Sequence, residues 1–434
     1  MLKKLLILLT TLLALVLTIG AGPEHGSTLY FEPLTASGTP GSEPACAPFK
    51  LPAGFYQHIL VEEDGVCGEG TTFDVYDVDG AVNALGDVVD LNDMNVTNET
   101  NPYFFLRGKY MYRTHEHGSN GAISVVSLKT GEVRLLATDP SWCRFDGIEW
   151  TPWGTLLAAE ECGAGGRLFE FIINPYNPME LLEIHDRPAV GRMSHEGVVV
   201  DNQGNIYVVD ELNGGSIYKF VPNSWGDLSS GTLYALNIVD EDAAPGNGTG
   251  TAEWLALVPG QNGVITDPSI NARAAADEAG ATDYFRPEDA EIIGDTIYVA
   301  TTTTNQVYAF NATGAPFVTE FVGVGVNINA ESDVPEYGLS SPDNLAKDAL
   351  GNLYIVEDNS GKSDIWVATP DLDGDGHADQ VVLAATLTTP GAEATGIYFN
   401  LPRDPYTLYV NVQHADDGND MTIAIDKNSS WLPR

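Results

Sequence analysis

The sequence predicts an all-β fold, a six-bladed β-propeller, on three observations. One strand–turn–strand phrase recurs six times, most copies start 46 to 57 residues apart, and a single stretch past the N-terminus reads as a helix. The copies are GKYMYRTHEHGSNGAISVVSL from Gly108, GTLLAAEECGAGGRLFEF from Gly154 and GNIYVVDELNGGSIYKF from Gly204. They continue as GDTIYVATTTTNQVYAF from Gly294, GNLYIVEDNSGKSDIWVAT from Gly351 and YTLYVNVQHADDGNDMTIAI from Tyr406. Each copy sets β-branched and aromatic residues around a turn-rich tip, which is a hairpin pattern. A lone hairpin cannot bury its apolar face, so such units must stack on one another. Six four-stranded units at this period close into a ring, although the kelch and WD40 signatures are absent.

The N-terminal elements come first in the chain. Lys3 and Lys4 precede an apolar run from Leu5 to about Ile19, followed by small residues at Gly20–Gly22. This reads as a signal peptide over residues 1–22, so the chain is expected to be secreted, periplasmic or extracellular. No Cys follows the run and no later stretch approaches eighteen apolar residues, so no membrane anchor is expected in the mature form. Residues 23–50 read as an N-terminal extension and 51–434 as the propeller. One interval, from Gly204 to Gly294, spans 90 residues and implies an insertion at about 221–285. It contains DPSINARAAADEAGA (Asp267–Ala281), an Ala-rich helix with Asp267 as expected N-cap and Gly280 near its end. The four cysteines are even in number, as disulfides in an oxidising compartment would be. Of the three connectivities, Cys46–Cys67 with Cys143–Cys162 closes the shortest loops.

Composition narrows the function. Apolar residues make up 43% of the 434, enough for a large core and too many for a disordered chain. Twenty basic against sixty-one acidic side chains give a formal charge of −41, which repels nucleic acid and acidic membranes. Walker, HExxH, GxSxG and CxxC motifs are all absent. Nucleoside-triphosphatase, zincin and serine-hydrolase chemistry therefore has no support.

The acids themselves are patterned. Asp146, Glu196 and Asp343 each stand eight residues before a strand-opening Gly, Glu288 six before, and Glu393 thirteen before Tyr406. Inner strands of a propeller line its axis and blades are related by rotation, so side chains at one offset converge at one mouth. Five carboxylates meeting there cannot all ionise without counter-charge. Cations supply it, and oxygen-only ligation suits hard ions such as Ca²⁺, Mg²⁺ or Mn²⁺. The competing reading makes these acids ordinary turn caps. Further ligands are sought at the strand tips: Glu116, the pair Glu160 and Glu161, Asp210 with Glu211, and Glu357 with Asp358. Arg286, two residues before Glu288, is placed to grip a phosphate or another oxyanion, or else to brace the acids by salt bridges. His195 in SHEG reads as an acid/base group or as a buried hydrogen-bonding neighbour. DLDGDGHAD sets Asp371, Asp373, Asp375 and Asp379 around Gly374 and Gly376, like a short calcium loop, but Val382 stands where a bidentate Glu would be expected.

With these residues in view, the chain from about Leu51 onward resembles the PhoX-type alkaline phosphatases, the DUF839 group. The resemblance rests on TPWGTLLAAEE (Thr151–Glu161), SHEG (Ser194–Gly197), the Ala-rich helix leading to FRPED, SPDNLA (Ser341–Ala346), and EATG followed by LYVNVQH. It implies a secreted six-bladed propeller whose axial cluster combines iron and calcium and hydrolyses phosphate monoesters, sometimes diesters. It implies Glu161, Glu196, Glu288, Asp343 and Glu393 as metal ligands and matches Arg286 to the family's phosphate-binding arginine. Where the family has an iron-binding Cys, five residues before TPWGT, this chain has Asp146. Loss of that soft ligand points to a cluster richer in calcium or holding another transition metal. The family's twin-arginine export signal is also missing.

The leading expectation is a metal-dependent phosphoesterase, a monomer acting on small phosphorylated substrates. A calcium-dependent propeller lactonase or esterase and a non-catalytic, calcium-stabilised binding propeller are the alternatives.

Overall fold

The computed structural model describes residues 29–75, 90–241, 248–323, 338–360, 362–416 and 418–430. The expected signal peptide lies outside them.

The chain is a six-bladed β-propeller. The first blade comprises Asn92–Thr97, Tyr110–His115, Ala122–Ser127 and Val133–Thr138; the second Phe145–Trp150, Leu156–Glu160, Leu168–Ile173 and Leu181–Asp186. The third is His195–Val200, Ile206–Asp210, Ile217–Pro222 and Gly231–Glu241; the fourth Pro287–Ile293, Thr296–Thr301, Gln306–Asn311 and Phe317–Gly323. The fifth is Pro342–Lys347, Leu353–Glu357, Ser363–Ala368 and Val381–Leu387. The sixth takes Glu393–Asn400, Asp404–Gln413 and Met421–Asp426 from the C-terminal end and its outer strand, Tyr56–Glu62, from the N-terminal end. The ring is thus closed by antiparallel pairing between the two ends of the fold. The six inner strands touch one another in succession round the axis.

Local chemistry explains the recurring phrase. Between inner and second strands, Asp201 accepts from the backbone N–H groups of Gln203 and Asn205, and from Asn205 Nδ2 and Tyr207 Oη. Asp348 repeats this with Leu350, Asn352 and Tyr354. Such Asx turns finish on a residue with positive φ, here Gly204 at 83° and Gly351 at 84°, which is why these two copies open on Gly. Alternate residues of the strands then pack between blades. Phe145 and Phe171 meet Tyr112 and Trp150 between the first and second blades, and Tyr207 and Phe310 meet between the third and fourth.

The stretch 221–285 holds the third blade's outer strand, then Gly250–Ala256, which joins it edge to edge with the fourth blade. The helix is shorter than the sequence implied, Ala272–Ala279. Its N-cap is Asn271, whose side chain accepts from Ala274 N–H, while Asp267 caps its own turn at Ser269; Gly280 is the αL C-cap as expected. Near the other end of the described chain, Phe49–Lys50 adds an edge strand to the fifth blade. The disulfides are Cys46–Cys67 and Cys143–Cys162. No described helix is long and apolar enough to cross a membrane.

Candidate functional site

The inner strands carry an acid at the same phase. Asp93, Asp146, Glu196, Glu288 and Asp343 are each the second residue of their strand, and Glu393 is the first of its own. In the first five blades the pairing register slips at that point, between Asn92 and Asn95, Phe145 and Ile148, His195 and Val198, Pro287 and Ala290, and Pro342 and Leu345. A bulge re-aims side chains out of the normal pleat, and here five bulges turn five acids towards one mouth. In the sixth blade the slips fall later, between Thr395 and Tyr398 and between Phe399 and Asn400. Close inter-strand approach fixes the geometry: a Cβ on Gly147 would lie 2.0 Å from Glu196 O, and one on Gly396 would lie 2.0 Å from Asp93 O.

A second ring comes from the residue just after each second strand: Glu116, Glu161, Glu211, Thr302, Asp358 and His414. In the three acidic tip pairs the residue before is spent elsewhere. Glu160 takes the Cys143 N–H and binds Arg167, Asp210 takes the Ser194 N–H and binds Arg273, and Glu357 takes the Ser340 N–H and Trp366 Nε1. One member of each tip pair therefore braces the scaffold and the other faces the axis. The Cys143–Cys162 disulfide brackets this arrangement, flanking Arg144 and Glu161.

Apart from Thr302, the residues of the two rings line a cavity of about 290 Å³. Its wall carries ten carboxylates and two guanidiniums, with Thr395, Gln413 and His414. Asp146, Glu196, Glu288, Asp343 and Glu393 all reach it, as do Glu116 and Glu161. Two trios, Asp93–Glu116–Asp146 and Glu196–Glu288–Asp343, bring one oxygen per residue within 4.8 Å of the others. Burial above all, reinforced by neighbouring charges, raises the acids: Glu116 to about 7, Glu288 to about 8, Glu161 and Glu393 to about 9, and Asp93, Glu196 and Asp343 well above the carboxylate range. Glu196 Oε2 is buried with no hydrogen-bond partner among the described residues. Crowded, buried carboxylate oxygens, one of them orphaned, fit hard divalent cations.

Arg286 Nε donates to Glu211 Oε1 at 2.8 Å, and its Nη2 lies 3.0 Å from Glu288 Oε1. The side chain is 36% exposed, so one face remains open to the cavity. Its backbone sits at φ 53°, a costly conformation for arginine, held by its N–H on Leu212 O and its C=O on Thr302 N–H. Arg144 Nε lies 2.9 Å from Glu161 Oε2 and 3.8 Å from Glu116 Oε1. His195 is fully buried, its Nε2 on Gly191 O, and does not line the cavity; it has the structural role of the two that the sequence allowed. The Asp371 loop lies elsewhere. Asp371, Asp373 and Asp379 form a trio, while Asp375 Oδ1 accepts from His377 N–H and stands outside it.

The sequence reading missed Asp93, Arg144 and the sorting of the tip pairs. Asp93 was masked by the long Asn98–Lys109 turn, which moves it fifteen residues from Gly108.

Comparison with known proteins bears on this cavity. The family model of alkaline phosphatase PhoX matches residues 149–316, a segment that contains Glu161, Glu196, Arg286 and Glu288. Over this stretch the chain is similar to the PhoX family. The PhoX match also extends to the fold. Pseudomonas fluorescens PhoX in complex with vanadate, a transition-state analogue, superposes with a TM-score of 0.66 at 19% identity, covering 91% of this chain and 97% of that one. A gluconolactonase from Xanthomonas campestris covers 78% of this chain and 87% of its own at 15% identity and TM-score 0.42. Virginiamycin B lyase from Staphylococcus aureus covers 86% and 99% at 11% identity and the same TM-score. No curated protein matches in sequence.

Proposed function

We propose that the chain is a secreted, metal-dependent phosphoesterase that hydrolyses phosphate monoesters in the axial cavity. The observation that carries this reading is the pairing of ten carboxylates with an exposed-faced guanidinium, Arg286, in one cavity. The PhoX match over the segment bearing Arg286 gives the chemistry its class. The two disulfides agree with an extracytoplasmic setting.

Asp93, Glu116 and Asp146 would hold one group of cations and Glu196, Glu288 and Asp343 another, with Glu161 and Glu393 completing the shell. Calcium is the expected main ion, because Asp146 offers oxygen where a thiolate would favour iron; iron or another transition metal would be a minority partner. When bound, the cations polarise the phosphoryl oxygens and favour hydroxide over water as attacking species. The protein's own residues orient the ester. Arg286 releases part of its hold on Glu211 and Glu288 and donates to the equatorial oxygens as charge builds there. Glu211 and Glu288 keep its fork aligned between turnovers. Water adds to phosphorus, the alcohol leaves with a proton, and phosphate is the other product. Asp371, Asp373 and Asp379 are proposed as a separate surface calcium loop.

The test is hydrolysis of p-nitrophenyl phosphate by the mature monomer with Ca²⁺, with and without iron, beside Arg286→Ala. Chelator should abolish turnover, and Arg286→Ala should lower kcat/KM by about 10²-fold or more, the scale for one lost oxyanion donor. Undiminished activity in Arg286→Ala would reject the assignment. Lactone hydrolysis insensitive to Arg286→Ala would favour a lactonase, and calcium-raised melting without any turnover a binding propeller.

A further inference from the structure

The seam that closes the ring differs from the other five. Among the described residues, the buried apolar group between the sixth and first blades is the smallest of the inter-blade cores, eight residues including Leu60, Val61, Met111 and Tyr409. Every other neighbouring pair of blades shares at least thirteen. The same seam contains a set of carboxylates that do not line the axial cavity. Glu63 follows the closing strand, Asp74 follows the short Thr71–Thr72 strand, and Asp90 precedes the first blade. One oxygen from each lies within 4.8 Å of the others. Asp420, just before the sixth blade's Met421–Asp426 strand, adds its charge to Glu63.

Hydrogen bonding accounts for most of these oxygens but not all. Asp90 N–H donates to Glu63 Oε2 at 3.1 Å, and Val75 N–H to Asp90 Oδ1 at 2.6 Å. Asp420 takes the Leu91 and Ala415 N–H groups on its two oxygens. Glu63 Oε1 is enclosed without a hydrogen-bond partner among the described residues, in a side chain only 4% exposed and packed against three other carboxylates. A buried carboxylate oxygen without a donor costs about 1–3 kcal/mol or more unless something positive meets it. Among the described residues, the cation that acts most on Asp90 is Arg113, whose Nε and Nη1 are taken by Ser124 and Thr422. Left so, burial first and then Asp90 and Asp420 push Glu63 up to about 10.

We propose that Glu63, Asp74 and Asp90 bind a calcium ion that pins the two ends of the ring together, at a site separate from the axial cavity. Oxygens on a calcium shell of radius about 2.4 Å stand at most about 4.8 Å apart, the separation limit these three meet. Half-exposed Asp74 leaves room for water to complete the 6–8 oxygens that calcium takes in irregular geometry, whereas magnesium demands a near-ideal octahedron. The ion links Glu63 and Asp74, carried on the closing segment, to Asp90 at the entry of the first blade. It supplies at this seam what a small apolar core does not.

The test is calcium binding and thermal melting of the full mature chain, stripped of metal and retitrated with CaCl₂. Glu63→Gln and Asp74→Asn should each hold one calcium fewer than the parent by elemental analysis after dialysis, and lose part of the calcium-induced rise in Tm. In chelator Glu63→Gln should melt no lower than the parent, because it deletes a buried carboxylate that has lost its ion. Asp343→Asn, in the axial cavity, should reduce the calcium count while leaving the Glu63-dependent equivalent in place. An unchanged calcium count in both Glu63→Gln and Asp74→Asn would overturn the site. So would a Glu63→Gln defect of equal size with and without calcium, which marks a plain hydrogen-bond acceptor. Should Glu63→Gln fail to fold, the half-exposed Asp74→Asn decides on the count alone.

Discussion

The inner strands bear charge at both ends, and the two ends solve the same problem differently. At the axial cavity ten carboxylates face two guanidiniums. Three to four residues further along the same strands lie Glu149, Glu291 and Lys347, which with Glu99 line a tighter void of about 70 Å³. There the protein supplies its own neutralisation. Lys347 Nζ donates to Glu291 Oε1 at 2.9 Å and to Ile292 O at 3.0 Å, and Tyr398 Oη donates to Glu99. Burial holds Glu149 well above the carboxylate range and so neutral. Acid at a propeller axis is therefore no sign of metal by itself. What separates the ends is whether protein donors match the acceptors, and only the wide end leaves a deficit for cations to fill.

The sharpest way to break this contrast is Asp343→Asn. At the wide end it should cost about 10²-fold or more in calcium-dependent turnover of p-nitrophenyl phosphate, since it removes a ligand from the Glu196–Glu288–Asp343 trio. In chelator it should leave Tm unchanged or raised, because one buried acid has gone. A Tm loss that is the same in chelator and calcium would make Asp343 a structural acid and erase the distinction.

The pH dependence follows from the same deficit. Glu116, Glu288, Glu161 and Glu393 are raised to about 7, 8, 9 and 9, above their unfolded values. The folded, metal-free protein thus holds more protons than the unfolded chain through this range. Their contribution to stability is full below about pH 4.5 and is lost as pH climbs towards 9, by about 1.4 kcal/mol per pH unit for each extra proton held. Melting in chelator should fall from pH 5 to pH 9, and calcium should flatten the slope by replacing protons as counter-charge. A flat profile in chelator would mean that the acids are already neutralised by the protein.

Much of this was legible because rotation makes spacing meaningful. Asp146, Glu196 and Asp343 sit at one distance from a positive-φ Gly, and that distance is the rest of the inner strand plus a turn in these three blades. Asp93 and Glu393 escaped or strained the rule because their turns are longer, which changes the count without moving the side chain. Arg286 was found through its neighbour Glu288, whereas Arg144 lies between a disulfide Cys and the second blade and carries no signal of its own. The bulges were out of reach, since they arise from inner strands crowding each other, as Gly147 does against Glu196 O. The division of Glu160 from Glu161 and of Asp210 from Glu211 was equally hidden. It depends on Arg167 and Arg273, which reach these acids only once the sheets have formed.

The smallest effect tests the narrow end. Lys347→Met keeps the stem and removes the ammonium, which takes the Nζ donor from Ile292 O and leaves Glu291 Oε1 with the Ile292 N–H alone. The loss should be roughly 1–3 kcal/mol, the usual cost of deleting one partner of a charged hydrogen bond. It should be the same in calcium and in chelator, with turnover unchanged, because Lys347 lies in the tighter void and does not line the axial cavity. Denaturant melts of parent and variant under both conditions measure it. If calcium rescued Lys347→Met, the freed Glu99, Glu149 and Glu291 would have become a cation site. The two ends would then differ only by one lysine, rather than by the bulges and tip residues that shape the wide cavity.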